Sequence, residues 1–239
     1  MIVLGALLNG IEALVGALIG LAFKSHVSND LGDFLLKGQG LCVVLVAVQG
    51  MAAKGGTIVV VTLAVALGGV IGWMLGIDAA VHRLGDCVQA RLDKVLPTDG
   101  QLGSFSVGFV NATLFCCTGA MAIVGSLASG LSLDHSTLIA KGIIDLVVCI
   151  PMAASMGVGV PFVALSLFVY EGLLSLTASL IAPLLTQAVI AEMSVTGSLL
   201  LLAVGTNLLG ITQLKVADFL PACFLPIVLV PLVNLLPLV

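Results

Sequence analysis

Long apolar stretches, separated by short clusters of polar and turn-forming residues, run along the chain from its first residues. Eight can be drawn, at about 2–23, 33–53, 56–76, 105–128, 136–156, 159–183, 194–212 and 217–238. At about 1.5 Å of rise per residue, each is close to or beyond the length that crosses a hydrocarbon layer about 30 Å thick. They predict an all-α, polytopic transmembrane helix bundle of about eight spans. One segment has a different rhythm. Between Ile77 and Ser104, the residues Ile77, Val81, Leu84, Val88, Leu92 and Val95 recur at steps of three and four. Asp78, Arg83, Asp86, Arg91 and Lys94 fall mostly elsewhere around the wheel. This pattern predicts one interfacial amphipathic helix, ended by a turn-rich linker from Pro97 to Gly103. The expected organisation is a first three-span repeat (1–76), the cytoplasmic interfacial helix and linker (77–104), two central spans (105–157) and a last three-span repeat (158–239).

The word repeat rests on internal similarity. Asn9-Gly10, followed by Leu14 and by small residues at 16 and 20, resembles Glu171-Gly172, followed by Leu176, Ala178 and Ala182. The run from Gly40 to Gly50 resembles the run from Gly197 to Asn207, and each is followed by a lone lysine, Lys54 or Lys215. With eight spans, the first and sixth point in opposite directions, so the triplets are expected to be inverted repeats, a plan common among secondary transporters. Lys24, Lys37, Arg83, Arg91, Lys94 and Lys215 fall on one side of such a topology, and Lys54 and Lys141 on the other. The positive-inside rule then places both termini outside the cytoplasm and the amphipathic helix inside. The N-terminus has no basic flank and no clear cleavage site, and is expected to be a retained first span.

Composition agrees with lipid as the main solvent. The chain of 239 residues is 60% hydrophobic and 8% charged, with a mean hydropathy of +1.30. A soluble domain carries about 25% charged residues. The sequence pI of 5.1 and the lack of a basic patch argue against nucleic-acid binding. Six cysteines lie at 42, 87, 116, 117, 149 and 223, without CxxC or Cys/His metal spacing, so no metal or other cofactor is expected. Glycines four apart, at 16 and 20 and at 68, 72 and 76, allow close helix packing and point to a compact bundle or a homodimer.

Against this apolar background the few polar residues inside the spans become informative. Lys141 and Asp145 are one helical turn apart. If their helix begins near Ser136, Asp145 lies roughly 14 Å in, close to the bilayer centre. A charge there costs several kcal/mol unless paired or hydrated, so it marks a candidate site. The pair either lines a solute or proton path or fixes helix register, with Lys141 snorkelling outward. Glu12 and Glu171 sit at matched depths of the proposed repeats, and Asn9, Asn111 and Asn207 are amides within or near spans. Together Lys141, Asp145, Glu12, Glu171, Asn9, Asn111 and Asn207 are the candidate substrate or ion pathway; joining helices is the plain alternative for the amides. Asp134 is well placed to cap the helix that follows, and His135 is expected to be solvated at its mouth. Pro151 inside the fifth expected span and the Met156–Pro161 turn point either to broken helices, which membranes tolerate beside buried or water-lined sites, or to ordinary proline kinks.

The run from Gly108 to Leu127, continued by Gly130 to Asp145, resembles the bacterial inner-membrane YdfK/YqgA-type family, filed as a domain of unknown function. The segments Gly197–Gly210 and Lys215–Pro221, and the opening Asn9, are similar too. The resemblance implies a multi-pass protein of the bacterial cytoplasmic membrane and carries no substrate with it. No HExxH, nucleophile elbow or phosphate loop is present, so an enzyme is not expected. The functional expectation is a membrane transporter or permease for a small solute or ion, with proton or ion coupling; a non-transporting scaffold or sensor and a channel remain the alternatives.

Overall fold

The computed structural model describes residues 1–24, 29–54, 57–95, 105–117 and 120–234. Regular structure among them is helical throughout: α1 (Leu4–Lys24), α2 (Asn29–Lys54), α3 (Ile58–Leu75), α4 (Ile77–Val95), α5 (Phe105–Cys117), α6 (Ala120–Ser132), α7 (Ser136–Met156), α8 (Val163–Leu176), α9 (Ala178–Ile181), α10 (Gln187–Leu208) and α11 (Pro226–Asn234). Two 3-10 segments, Val160–Phe162 and Val216–Cys223, precede α8 and α11. The outer surface is apolar: Trp73, Met74 and Leu180 are 73, 75 and 76% exposed. Side chains of that kind, repeated around a helical body, need hydrocarbon rather than water as solvent.

Five helices are long and apolar enough to cross a membrane: Leu4–Lys24, Asp33–Ala52, Ile58–Leu75, Ser136–Met156 and Gln187–Leu208. Two further pairs qualify when each counts as one bent span, giving seven. The stretch expected as a single span at 105–128 is α5 and α6, bent by 62°, with the break at 118–119 outside the described residues. The stretch at 217–238 is the second 3-10 segment and α11, bent by 50°. Pro221 and Pro226 stand on either side of that bend, and proline removes the backbone donor a straight helix needs. The sixth expected span is shorter than drawn: Val160–Leu176, about 26 Å long, followed after Thr177 by the single turn of α9.

Helix directions follow from which residues meet. In α1 the buried positions Gly5, Ala6, Asn9, Gly10, Ala13, Gly16, Ala17 and Gly20 form one small-residue stripe. A side chain at Gly16 would collide with the Leu146 carbonyl, and one at Gly20 with the Ile150 carbonyl, so α1 and α7 run parallel in backbone contact. Gly10 faces the Ala164 carbonyl while Gly172 faces Val3, so α1 and α8 are antiparallel. Gly40 faces Gly205 and Leu208, and Gly50 faces Ser198, which makes α2 and α10 antiparallel as well. Gly68 and Gly72 pack on Ala222 and the Asp218 carbonyl of the second 3-10 segment. These glycine faces are thus filled within one chain and carry no argument for a dimer.

The expected amphipathic helix is α4. It follows α3 directly, through the left-handed turn at Gly76 (φ 61°). Its first turn is held by the buried Asp218, whose Oδ1 accepts the Asp78 N–H at 2.8 Å. His82, Arg83 and Asp86 are exposed. The expected linker Pro97–Gly103 lies outside the described residues.

Candidate functional site

The contact between α1, α7 and α8 brings together four of the expected pathway residues. Lys141 Nζ is hydrogen-bonded to Asp145, one turn further along α7, and lies 3.3 Å from Glu171 Oε1 on α8. Asn9 Nδ2, from α1, donates to both Glu171 oxygens at 2.8 and 3.0 Å. Lys141, Asp145, Glu171 and Asn9 are 5, 3, 0 and 0% exposed. Three helices thus contribute to one dehydrated cluster, and Lys141 points inward instead of snorkelling. Lysine four residues before aspartate is the weaker order for a local pair. The pair forms here with help from Glu171, which offers the same ammonium a second carboxylate from another helix. The Cys116 thiol of α5 adjoins both Asp145 and Cys149.

Charge count sets the chemistry of this centre. One ammonium faces two carboxylates away from water. An uncompensated buried charge is costly, so the balanced form of the triad holds one proton or one monovalent cation. Glu12 adjoins the same cluster. It is half-buried, but its Oε2 is shut off from water and has no hydrogen-bond partner among the described residues; Asn9 Oδ1 is in the same position. Glu12 Oε2 rests against Gly142, where any side chain would strike it; that side chain would also come within 3.1 Å of the Asn9 Cα.

Asn111 and Asn207 do not join the centre. They line a separate cavity of about 300 Å³ with Asp78, His82, Ser106 and Thr212. Asn111 Nδ2 reaches Met156 Sδ at 3.9 Å, at the far end of α7. Eleven residues separate Met156 from Asp145, roughly 16 Å along the helix. Asn207 closes the turn after α10: its Nδ2 donates to the Leu214 carbonyl at 2.8 Å, and its Oδ1 accepts from Leu214 N at 2.9 Å and Thr212 Oγ1 at 2.7 Å. Along α7, the buried Cys149 and Met152 lie between Asp145 and Met156 and belong to the apolar core.

The mouth of α7 is polar but pinned. Asp134 Oδ1 accepts the Ser136 N–H at 3.0 Å, and this hydrogen bonding holds its carboxyl below the ordinary aspartate range. His135 is not freely solvated: its Nδ1 lies 2.8 Å from Ser129 Oγ, which also bonds the Ile2 carbonyl at 2.8 Å. Two buried acids outside the expected set act at helix starts. Glu192 Oε1 accepts the Thr57 N–H ahead of α3 at 2.6 Å, and Asp218 does the same for α4. An acid beside a helix N-terminus is stabilised by the exposed amides there. Glu192 stands alone in apolar sequence, and Asp218 has only Lys215 three residues before it, so neither carries a local pattern that points to a helix start in another segment.

Comparison with known proteins agrees with a membrane protein. The chain is 24% identical over 235 residues to the "Uncharacterized membrane protein YdfK" of Bacillus subtilis (strain 168), covering 96% of each chain. It is 27% identical over 227 residues to the "Uncharacterized protein YqgA" of Escherichia coli (strain K12), covering 93% of this chain and 94% of the other. No solved structure matches. The small-residue stripe of α1, the charged turn of α7 and the Glu171 helix all fall within residues 4–231, the part matched by the family described as "Protein of unknown function (DUF554)"; the chain belongs to that family.

Proposed function

We propose that this protein is a multi-pass transporter of the bacterial cytoplasmic membrane that moves a small polar solute coupled to a proton or another cation. The observation that carries this reading is the Lys141–Asp145–Glu171–Asn9 cluster, drawn from three helices and closed to water. A structural tie between helices needs no net charge. This cluster is one positive charge short of balance, which is the property a coupling site needs. The cavity bearing Asn111 and Asn207, beside α4, serves as a vestibule on the cytoplasmic side, and the apolar packing around Cys149 and Met152 is the closed gate between them. No catalytic chemistry is assigned to the chain.

Reciprocal contacts favour the inverted-repeat plan. Asn9 and Glu171, matched by the internal similarity, touch each other. Gly10 meets the Ala164 carbonyl while its counterpart Gly172 meets Val3. α2 and α10 repeat the relation, with Gly40 against Gly205 and Gly50 against Ser198. In an eight-crossing topology with both termini outside, α1 and α7 point the same way and α1 and α8 oppose, as their contacts require.

The test is reconstitution into proteoliposomes on a solid-supported membrane, challenged with amino acids, organic acids, sugars and ammonium. One class should evoke a saturating current that follows an imposed pH or sodium gradient. Asp145→Asn should abolish it while thermal unfolding in detergent shows a folded protein. Equal currents from wild type and Asp145→Asn would overturn the assignment, and a non-saturating current would turn it into a channel.

A further inference from the structure

We infer that the charged centre contains a binding site for a monovalent alkali cation of the sodium class, held between Asn9 Oδ1 and Glu12 Oε2 beside Asp145. The inference deepens the transport reading and rests on it for its place in a cycle, though not for its existence. Acceptors outnumber donors in the cluster. The cluster offers the oxygens of Asn9, Glu12, Asp145 and Glu171, while its nitrogen donors are Lys141 Nζ and Asn9 Nδ2, both already engaged with carboxylates. Two of the acceptors, Asn9 Oδ1 and Glu12 Oε2, are buried with no partner among the described residues. A buried oxygen without a donor is costly, so two of them three residues apart on one helix call for a shared partner.

The nature of that partner follows from the groups around it. Amide and carboxylate oxygens are hard ligands, suited to alkali and alkaline-earth ions and not to soft metals. Counted with Glu12, three carboxylates face one ammonium; a monovalent ion at Glu12 and one proton on the Asp145–Glu171 pair restore neutrality, and the Lys141 ammonium beside them opposes a doubly charged ion. The missing side chain at Gly142 lets the Glu12 carboxylate lie against α7, next to the Asn9 backbone. Asn9 then links two tasks: its amide nitrogen holds Glu171, and its amide oxygen holds the ion. Ion occupancy would thereby be felt at Glu171 and Lys141 through one side chain. A proton on Glu12 is the competing occupant, because a carboxylic acid could donate to Asn9 Oδ1 and pair both oxygens at once.

The experiment uses the full chain purified in detergent near pH 8, with sodium chloride exchanged for choline chloride at constant ionic strength. Thermal unfolding is followed by intrinsic fluorescence. A ligand that binds the folded form raises its midpoint with the logarithm of concentration, by about 3–6 °C at a tenfold excess over the dissociation constant. Sodium should produce this rise, choline should not, and Glu12→Gln should shift the midpoint response to at least tenfold higher sodium. Should Glu12→Gln fail to fold, equilibrium binding of radioactive sodium to wild type decides, with one saturable site per chain expected and loss of it on acidification. No sodium response and no saturable sodium binding by folded wild type would overturn the site; a response to acid alone would assign the two oxygens to a proton instead and overturn it equally. Sodium binding without any solute-evoked current would leave the site standing and remove the transport reading, whereas solute current without sodium binding would do the reverse.

Discussion

Two helix contacts in this protein share one geometry and differ in what they bury. α1 against α7 and α2 against α10 both bring glycines up to a neighbouring backbone. In the α2–α10 contact, the polar atoms are spent locally: Ser198 Oγ donates to the Ser194 carbonyl at 2.7 Å, and Ser194 Oγ to the Ile190 carbonyl at 2.7 Å. In the α1–α7 contact, extended to α8, the polar atoms reach across helices and carry net charge. A serine bonded to its own helix costs the bilayer little and ties nothing together. An ammonium bonded to acids on two helices is expensive to place, and each member depends on the others. The first contact is packing alone; the second also holds buried charge that packing does not require.

The sharpest way to break this comparison is to remove the ammonium. Lys141→Met leaves Asp145 and Glu171 buried without their cation and should cost about 3–5 kcal/mol in unfolding free energy. Adding Asp145→Asn and Glu171→Gln to it should restore most of the loss, because the remaining groups are neutral. Next come the glycines. Gly16→Ala forces α1 off the Leu146 carbonyl and should cost about 1–3 kcal/mol, whereas Gly40→Ala meets Leu208 Cβ and Leu209 Cγ at 3.1 Å and the Gly205 carbonyl oxygen at 3.2 Å, close but without overlap, and should cost about 1 kcal/mol or less. Equal costs would mean that the two contacts are not packed differently. Ser198→Ala should change stability by no more than about 0.5 kcal/mol, since its hydroxyl is bonded within α10.

The smallest expected effect lies at the mouth of α7. Hydrogen bonds from Ser136 depress the Asp134 carboxyl, so Asp134 contributes stability above its unfolded value of about 3.9 and loses it as pH falls through the lower folded value. Asp134→Asn should therefore lower the unfolding midpoint slightly at neutral pH. The difference from wild type should vanish in strong acid; a difference that grew on acidification would reverse the assignment.

The parts legible in the sequence were those written in spacing. The period of Ile77–Val95 gave α4, and the one-turn interval of Lys141 and Asp145 gave their pairing. Depth in an apolar run gave their burial, and the similarity of Asn9-Gly10 to Glu171-Gly172 flagged two residues that meet in space. Tertiary relations were not written there. Nothing local says that Lys141 turns inward to Glu171, because that direction is set by a helix more than twenty residues further on. Asn207 lines the cavity beside α4 and also closes the turn to Leu214; a turn and a binding site ask for the same side chain, so its place in the sequence does not separate the two roles. The bend within 105–132 escaped because only Thr118 and Gly119 interrupt the apolar run there, whereas Pro221 and Pro226 flank the bend before α11.

Lys141 and Glu171 form one buried, cross-helix unit. A double-mutant cycle measures it directly: Lys141→Met, Glu171→Gln and the pair, compared by reversible unfolding in mixed micelles. The account predicts a coupling of about 2 kcal/mol or more, with the double variant more stable than Lys141→Met alone. Additive effects within about 0.5 kcal/mol would show two independent residues, and the charged centre would cease to exist as a unit.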